Sequence, residues 1–180
     1  MNKKISITLT CIALIAMSFA LIQNWNITDS NKITFKIKTT FGIVDGSIGG
    51  LKGTISFDPN DLPASSMDVT LDLATITTGI GKRDKDIKDE EVWFDIAKYP
   101  KITFKSNSVT KTPTGYLVDG TLTIKGTAKK VQMPFTFADA AGGGTFTGSL
   151  NLNRTEYNVG KSSGLVKDDV EVTIIVPVKK

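Results

Sequence analysis

Tyr116-Leu-Val-Asp-Gly-Thr-Leu-Thr-Ile124, followed after a short break by Val131-Gln-Met-Pro-Phe-Thr-Phe137, is the stretch that decides the fold. Side chains of an extended chain point alternately to its two faces. On that period Tyr116, Val118, Leu122 and Ile124 share one face, while Asp119, Thr121 and Thr123 share the other. Val131, Met133, Phe135 and Phe137 repeat the pattern. Alternation of this kind is the signature of a half-buried strand.

The same rhythm extends in both directions. Ile33, Phe35 and Ile37 stand against Lys32, Thr34, Lys36 and Lys38. Met67, Val69, Leu71 and Leu73 oppose Asp68, Thr70 and Asp72, and Ile102 and Phe104 oppose Thr103 and Lys105. Phe146, Leu150 and Leu152 form another set, and Val170, Val172, Ile174, Val176 and Val178 close the chain. Turn signals separate the runs at Asp29-Ser-Asn, Asp58-Pro-Asn-Asp, Thr112-Pro-Thr-Gly and Gly142-Gly-Gly. Gly46, Gly49, Gly50 and Gly53 predict a hairpin with bends or bulges.

Eight to ten strands with short connections define an all-β protein, in one antiparallel sheet system. One apolar face per strand, with Thr, Lys, Asp and Asn opposite, fits an up-and-down barrel with solvent outside. The inward faces are rich in phenylalanine, with no charged residue interrupting them. About eight strands enclose room for one slim ligand. A dry, filled core fits the same periodicity equally well.

One internal segment breaks the rhythm, Thr77 to Phe104. Its charged part, Lys82-Arg-Asp-Lys-Asp-Ile-Lys-Asp-Glu-Glu91, predicts a short helical segment near residues 82–91, with Asp84 and Lys88 spaced to pair along it. Asp84-x-Asp86 begins like a calcium loop, but Lys88 takes the next ligand position and no glycine follows. Trp93 and Phe94 come next, then Tyr99-Pro100. Polar outside and aromatic beneath, this segment has the make-up of a lid over a lumen, or of a plug at a barrel end.

At the N-terminus Lys3 and Lys4 precede a mostly apolar run from Ile5 to Ile22, and Ser18-Phe-Ala20 offers small residues at a cleavage site. Residues 1–20 read as a cleaved signal peptide, which sends residues 21–180 to the periplasm or outside the cell. An uncleaved anchor through residues 5–22 is the alternative. Cys11, the single cysteine, leaves with the signal, so the exported domain has no disulfide or thiol chemistry. The formal charge is +4, or +2 without Lys3 and Lys4, too mild for a nucleic-acid binder. The chain has no histidine. That excludes Ser-His-Asp and Cys-His devices and makes zinc, copper and haem sites poor fits.

The quoted blocks resemble the YceI-like family. Trp25-Asn-Ile, Ser30-Asn-Lys-Ile-Thr-Phe-Lys-Ile-Lys and Gly53-Thr-Ile-Ser-Phe-Asp-Pro come in the family's order. Arg83-Asp84, Phe94-Asp-Ile-Ala-Lys-Tyr-Pro-Lys-Ile-Thr-Phe-Lys-Ser and Gly120-Thr-Leu-Thr-Ile-Lys-Gly-Thr follow, then Arg154 and Val166-Lys-Asp-Asp-Val-Glu-Val. The resemblance covers Trp25 to Val178 and implies a lipocalin-like barrel, a lipid-binding domain over residues 21–180 whose ligand is a polyisoprenoid or similar long apolar lipid. Thr39 and Asp86 stand where the family usually has histidines, so any head-group contact made by those imidazoles is absent.

The expected ligand-binding residues are Phe35, Ile37, Leu71, Leu73, Trp93, Phe94, Phe104, Ile124, Phe135, Phe137, Phe146 and Leu150. Arg83 and Arg154, the only arginines, are the head-group candidates, since a guanidinium fork suits phosphate or carboxylate. A structural ion pair with an aspartate is the competing role for either. No catalytic residue, metal site or resident cofactor is expected, and no membrane span in the mature form. The expected function is a non-catalytic carrier. The alternatives are an envelope interaction module with a filled core, or an enzyme on an apolar substrate using Asp, Glu, Lys or Tyr. The oligomeric state is left open, a homodimer being one option.

Overall fold

The computed structural model describes residues 22–180. The signal-peptide reading of residues 1–20, and nearly all of the alternative anchor at 5–22, fall outside them. Among the described residues no helix is long and apolar enough to cross a membrane.

Ten strands are present: β1 (Asn24–Ile27), β2 (Lys32–Thr39), β3 (Gly42–Ile48), β4 (Lys52–Ser56), β5 (Ser66–Asp72), β6 (Lys101–Thr112), β7 (Gly115–Ile124), β8 (Thr127–Ala140), β9 (Gly143–Asn153) and β10 (Val166–Lys179). All pairings are antiparallel, and the sheet closes on itself through β1 and β10. β1 and β2 both lie along one edge of β10: β10 pairs with β2 through Ile175 and with β1 at Val178 and Lys179. β3 and β4 continue end to end beside them, β3 on β2 and β4 on β1. The ten strands therefore make eight staves of an up-and-down, lipocalin-like barrel. Closure through β1 and β10 removes most of the unpaired sheet edge that would otherwise invite aggregation.

The two breaks have physical causes. At Thr28–Asn31 the chain leaves the ladder, and the Thr28 amide and hydroxyl both donate to Pro177 O, at 3.1 and 2.9 Å. At 49–51 Gly50 takes φ +66°, a conformation that favours glycine. Because β3 diverges there, its outer edge pairs with no strand; Ser47 instead exchanges two backbone hydrogen bonds with Thr77. The space between β3 and β6 is thus taken by the segment that lacked a strand rhythm.

That segment holds one α-helix, α1 (Gly81–Asp89), at the predicted place. Two expectations are corrected. Leu73 does not extend the face of β5; it sits in a 3-10 turn at Leu73–Thr75, fully buried. The inward pattern also carries charge at its upper end. Lys129 shares the parity of Val131 and Met133 and pairs with Glu156 at 2.9 Å, and half-buried Asp168 pairs with Arg154 at 3.0 Å.

The core is polarised along the barrel axis. At the lower end Phe57 is fully buried, with the rings of Tyr116, Phe135, Phe137 and Phe146 at centroid distances of 5.0, 5.6, 5.3 and 5.4 Å. Trp25 joins them, 5.0 Å from Phe137, and its indole N–H donates to Phe57 O at 2.9 Å. At the upper end the inward residues are aliphatic. One rung runs Val44, Ile37, Val170, Leu152 across four adjacent strands. These four are only half-buried, although they point into the barrel.

A hollow upper barrel as candidate functional site

The half-burial of those aliphatic side chains marks a cavity of about 850 Å³. Small-ligand sites fall roughly between 300 and 1,000 Å³. Of the twelve apolar residues expected at the site, ten stand in its wall: Phe35, Ile37, Leu71, Trp93, Phe94, Phe104, Ile124, Phe135, Phe146 and Leu150. Leu73 lies outside the wall, in the 3-10 turn. Phe137 also lies outside it, held at the lower end against Trp25, Phe57 and Phe146.

Glycine keeps this lumen open. A Cβ on Gly46 would lie 2.2 Å from Cζ of Phe35, its direct partner across β2 and β3. A Cβ on Gly120 would lie 2.4 Å from Cζ of Phe104. With no side chain on the neighbouring strand, each ring lies flat along the wall instead of crossing the lumen.

The two arginines divide. Arg154 is 5 % exposed and donates to Lys167 O, Val159 O, Lys161 O and Val166 O as well as to the Asp168 carboxylate. Its guanidinium also stacks on Trp93, 5.6 Å from the ring centroid. Those bonds tie the 159–168 loop to the end of β9, which is the structural role. Arg83 is freer. Its Nε donates to Thr78 Oγ1 at 2.7 Å and one Nη to Thr78 O at 3.1 Å, while the other Nη has no hydrogen-bond partner among the described residues. Thr77 and Thr78 hydroxyls and the Thr78 amide donate to Asp84. Those bonds, the Thr77 hydroxyl first, hold the Asp84 carboxyl below the ordinary aspartate range. Arg83, Thr78, Lys82 and Asp86 all stand in the cavity wall, and Asp86 is its only carboxylate among the described residues. The described residues contain no cluster of His, Cys, Asp or Glu able to hold a metal ion.

The aromatic segment after α1 is fastened at several points. Lys125 Nζ donates to Glu91 O at 2.5 Å and to Asn158 O at 2.7 Å. Gly160 N donates to Val92 O at 2.6 Å, and a Cβ on Gly160 would collide with both Arg154 and Trp93. Lys125 (φ 48°) and Asn158 (φ 58°) are left-handed without being glycine, a cost the two Lys125 bonds help offset. Trp93 is therefore held against Arg154 and Gly160, and both it and Phe94 line the cavity. Burial raises the neighbouring Tyr157 phenol above its usual range, with Glu156 adding to it.

Sequence reasoning passed over part of the wall. Val170, Val172, Ile174 and Val176 were legible as a strand face and carry the same signal as the residues that were chosen. Phe41, Ile80, Tyr157 and Leu165 are wall residues outside the strands, where alternation gives no signal, and Ile43, opposite Lys38 at the start of β3, has the outward parity yet borders the cavity at the hairpin tip.

A closed eight-stave barrel, plugged with aromatics at one end and hollow and apolar at the other, is the architecture of a lipocalin-like binding fold. The YceI-like domain model matches residues 25–177, and the chain belongs to that family. A UPF0312 protein of Yersinia enterocolitica is 28% identical over 151 residues, covering 80% of this chain and 78% of the relative. Among solved structures, BcnA of Burkholderia cenocepacia superposes with a TM-score of 0.76 at 29% identity, over 82% of this chain and 95% of that one. A domain of Saccharophagus degradans described as polyisoprenoid-binding shares the fold with a TM-score of 0.67, over 88% of this chain and 99% of that one; at 16% identity the likeness extends to fold alone.

Proposed function

We propose that this protein is an exported, non-catalytic carrier that holds a polyisoprenoid or similar long apolar lipid in its upper lumen. The observation that carries the reading is the wall: inward aliphatic residues of four adjacent strands are left half-exposed to one continuous apolar space. A folded chain does not leave that much apolar surface unburied without a use for it. A hydrocarbon chain entering would contribute about 25 cal/mol per Å² of apolar area removed from water, less the cost of ordering it. Arg83, with an uncommitted Nη, is placed to meet a phosphate or carboxylate end, and Thr78 and Lys82 stand in the same wall. Arg154 is not the head-group residue, since the fold already occupies it. A catalytic reading finds Asp86 as the one wall carboxylate among the described residues, with no second carboxylate beside it there and no histidine in the sequence.

Mass spectrometry under native conditions, on protein purified from the envelope of its own host, tests this directly. The expected spectrum shows a bound apolar molecule, recovered in an organic extract, and an N-terminus past residue 20. Only empty protein, or only a polar metabolite bound, would sink the carrier reading.

A further inference from the structure

Among the described residues four large apolar side chains are exposed: Phe41, Ile43, Ile80 and Leu165. They come from three separate stretches of chain, yet every one of them stands in the wall of the same cavity. Isolated exposed apolar residues are ordinary; four gathered on one opening are not. They mark the mouth at the hollow end.

The tip that carries Phe41 is stiff. Thr39 Oγ1 accepts from the Phe41 amide at 3.1 Å and donates to Gly42 O at 2.9 Å. Thr40 N donates to Leu165 O at 2.9 Å, and its hydroxyl to Gly164 O at 3.0 Å, joining the β2–β3 tip to the Leu165 segment. Phe41, 91% exposed, is thus held out into solvent by a built turn and does not fold back over the lumen. Lys82 and Arg83 stand in the same wall with Asp86, on a helix whose Asp84 is held by Thr77 and Thr78 and whose Asp89 pairs with Lys85, while Arg154 is neutralised by Asp168.

We propose that this collar docks the mouth onto an anionic membrane surface, with Phe41, Ile43, Ile80 and Leu165 entering the interface and Lys82 and Arg83 meeting lipid head groups. The inference deepens the carrier reading and rests on it: a long apolar lipid has negligible solubility in water, so a carrier must meet its cargo at a bilayer. The collar is apolar where it is continuous with the lumen, and the Lys82 and Arg83 side chains beside it supply the cationic contacts by which proteins seat on an anionic interface.

The test is flotation of the protein with phosphatidylethanolamine–phosphatidylglycerol vesicles, beside phosphatidylcholine vesicles and beside a separate assay of polyprenol binding in solution. The protein is expected to float with the anionic vesicles and much less with the neutral ones. The paired substitution Phe41→Ser and Leu165→Ser is expected to lower vesicle affinity about tenfold or more. Both side chains are exposed, and circular dichroism melting checks that the pair still folds. Phe41→Trp gives a second readout on a folded protein, a blue-shifted emission when anionic vesicles are added. Polyprenol binding without flotation overturns the collar and leaves the carrier intact; flotation without polyprenol binding keeps the docking surface and removes the carrier. Equal flotation of the protein and the paired variant overturns the proposal, as does a dimer in sedimentation that the pair dissolves without any flotation.

Discussion

The two halves of this barrel are built from one alternation and end differently. In the lower half the inward positions carry Trp25, Phe57, Phe135, Phe137 and Phe146, whose rings meet near the axis and bury Phe57 completely. In the upper half they carry Val44, Ile37, Val170, Val172, Leu150 and Leu152, which reach no partner across the lumen. The backbone is the same closed ladder in both. Side-chain reach decides which end is solid: aromatic rings from different walls meet near the axis, and valines do not. Phe35 and Phe104 lie along the wall over Gly46 and Gly120, and in the lower half Phe137 lies over Gly144 in the same way. Stability is thus concentrated below and a binding volume is kept above.

The sharpest test of that division is Phe57→Ala. Removing the centre of the aromatic cluster leaves a cavity walled by four rings, and the expected cost is about 3–5 kcal/mol. Urea unfolding at constant m-value reads it. Next is Arg154→Met, which leaves four carbonyls and the Asp168 carboxylate without their donor; about 3 kcal/mol is expected, because one partner of a buried ion pair is lost. A cost near zero would return Arg154 to the head-group role.

Trp93→Ala and Phe94→Ala separate closure from lumen. Trp93 is packed between Arg154 and Gly160, so its loss is expected to destabilise by about 2 kcal/mol through lost ring burial. Phe94→Ala is expected to cost less in stability and to shorten lipid residence several-fold, read by dissociation of a fluorescent polyprenol. Equal effects of both on melting, with none on residence, would make the whole segment a plug.

How far the sequence spoke depends on which physical signal each part carries. Alternation reports which way a side chain points, so the strands, the closed sheet and eight of the wall residues were legible from it, while Trp93 and Phe94 were read from the aromatic make-up of the segment that breaks it. It says nothing about how far a side chain reaches, and so could not choose between a filled and a hollow barrel. Phe137 shares its parity and its ring packing with Phe135, yet its greater depth along β8 leaves it outside the cavity wall. Leu73 has the right parity for β5, but Asp72 caps the turn that follows by accepting from Ala74 N, and the strand ends there. Arg154 was singled out by rarity, which does not report that the chain five to fourteen residues on would supply its acceptors. The joining of β1 with β2 and β3 with β4 into single staves was hidden as well. Thr28–Asn31 and Gly49–Leu51 look like ordinary turns until the pairing with β10 is known.

The smaller effects test the hollow half itself. Gly46 has an ordinary backbone conformation, so alanine there meets only the Phe35 ring and must push it off the wall. A modest stability cost, about 1–2 kcal/mol for overpacking, is expected together with at least a severalfold loss of polyprenol affinity. Leu150→Ala is the counter-test. Its side chain faces the cavity and is already partly exposed to it, so truncation enlarges a space that exists and creates no new one. Less than about 1 kcal/mol should be lost, well below the usual 2–5 kcal/mol for a buried leucine. Measured on protein stripped of lipid, that small value says the upper barrel folds around empty space. Measured on loaded protein, the cost should rise, because Leu150 then has hydrocarbon to touch. A full 3 kcal/mol in the stripped protein would mean the upper half is packed like the lower, and the distinction between them would fail.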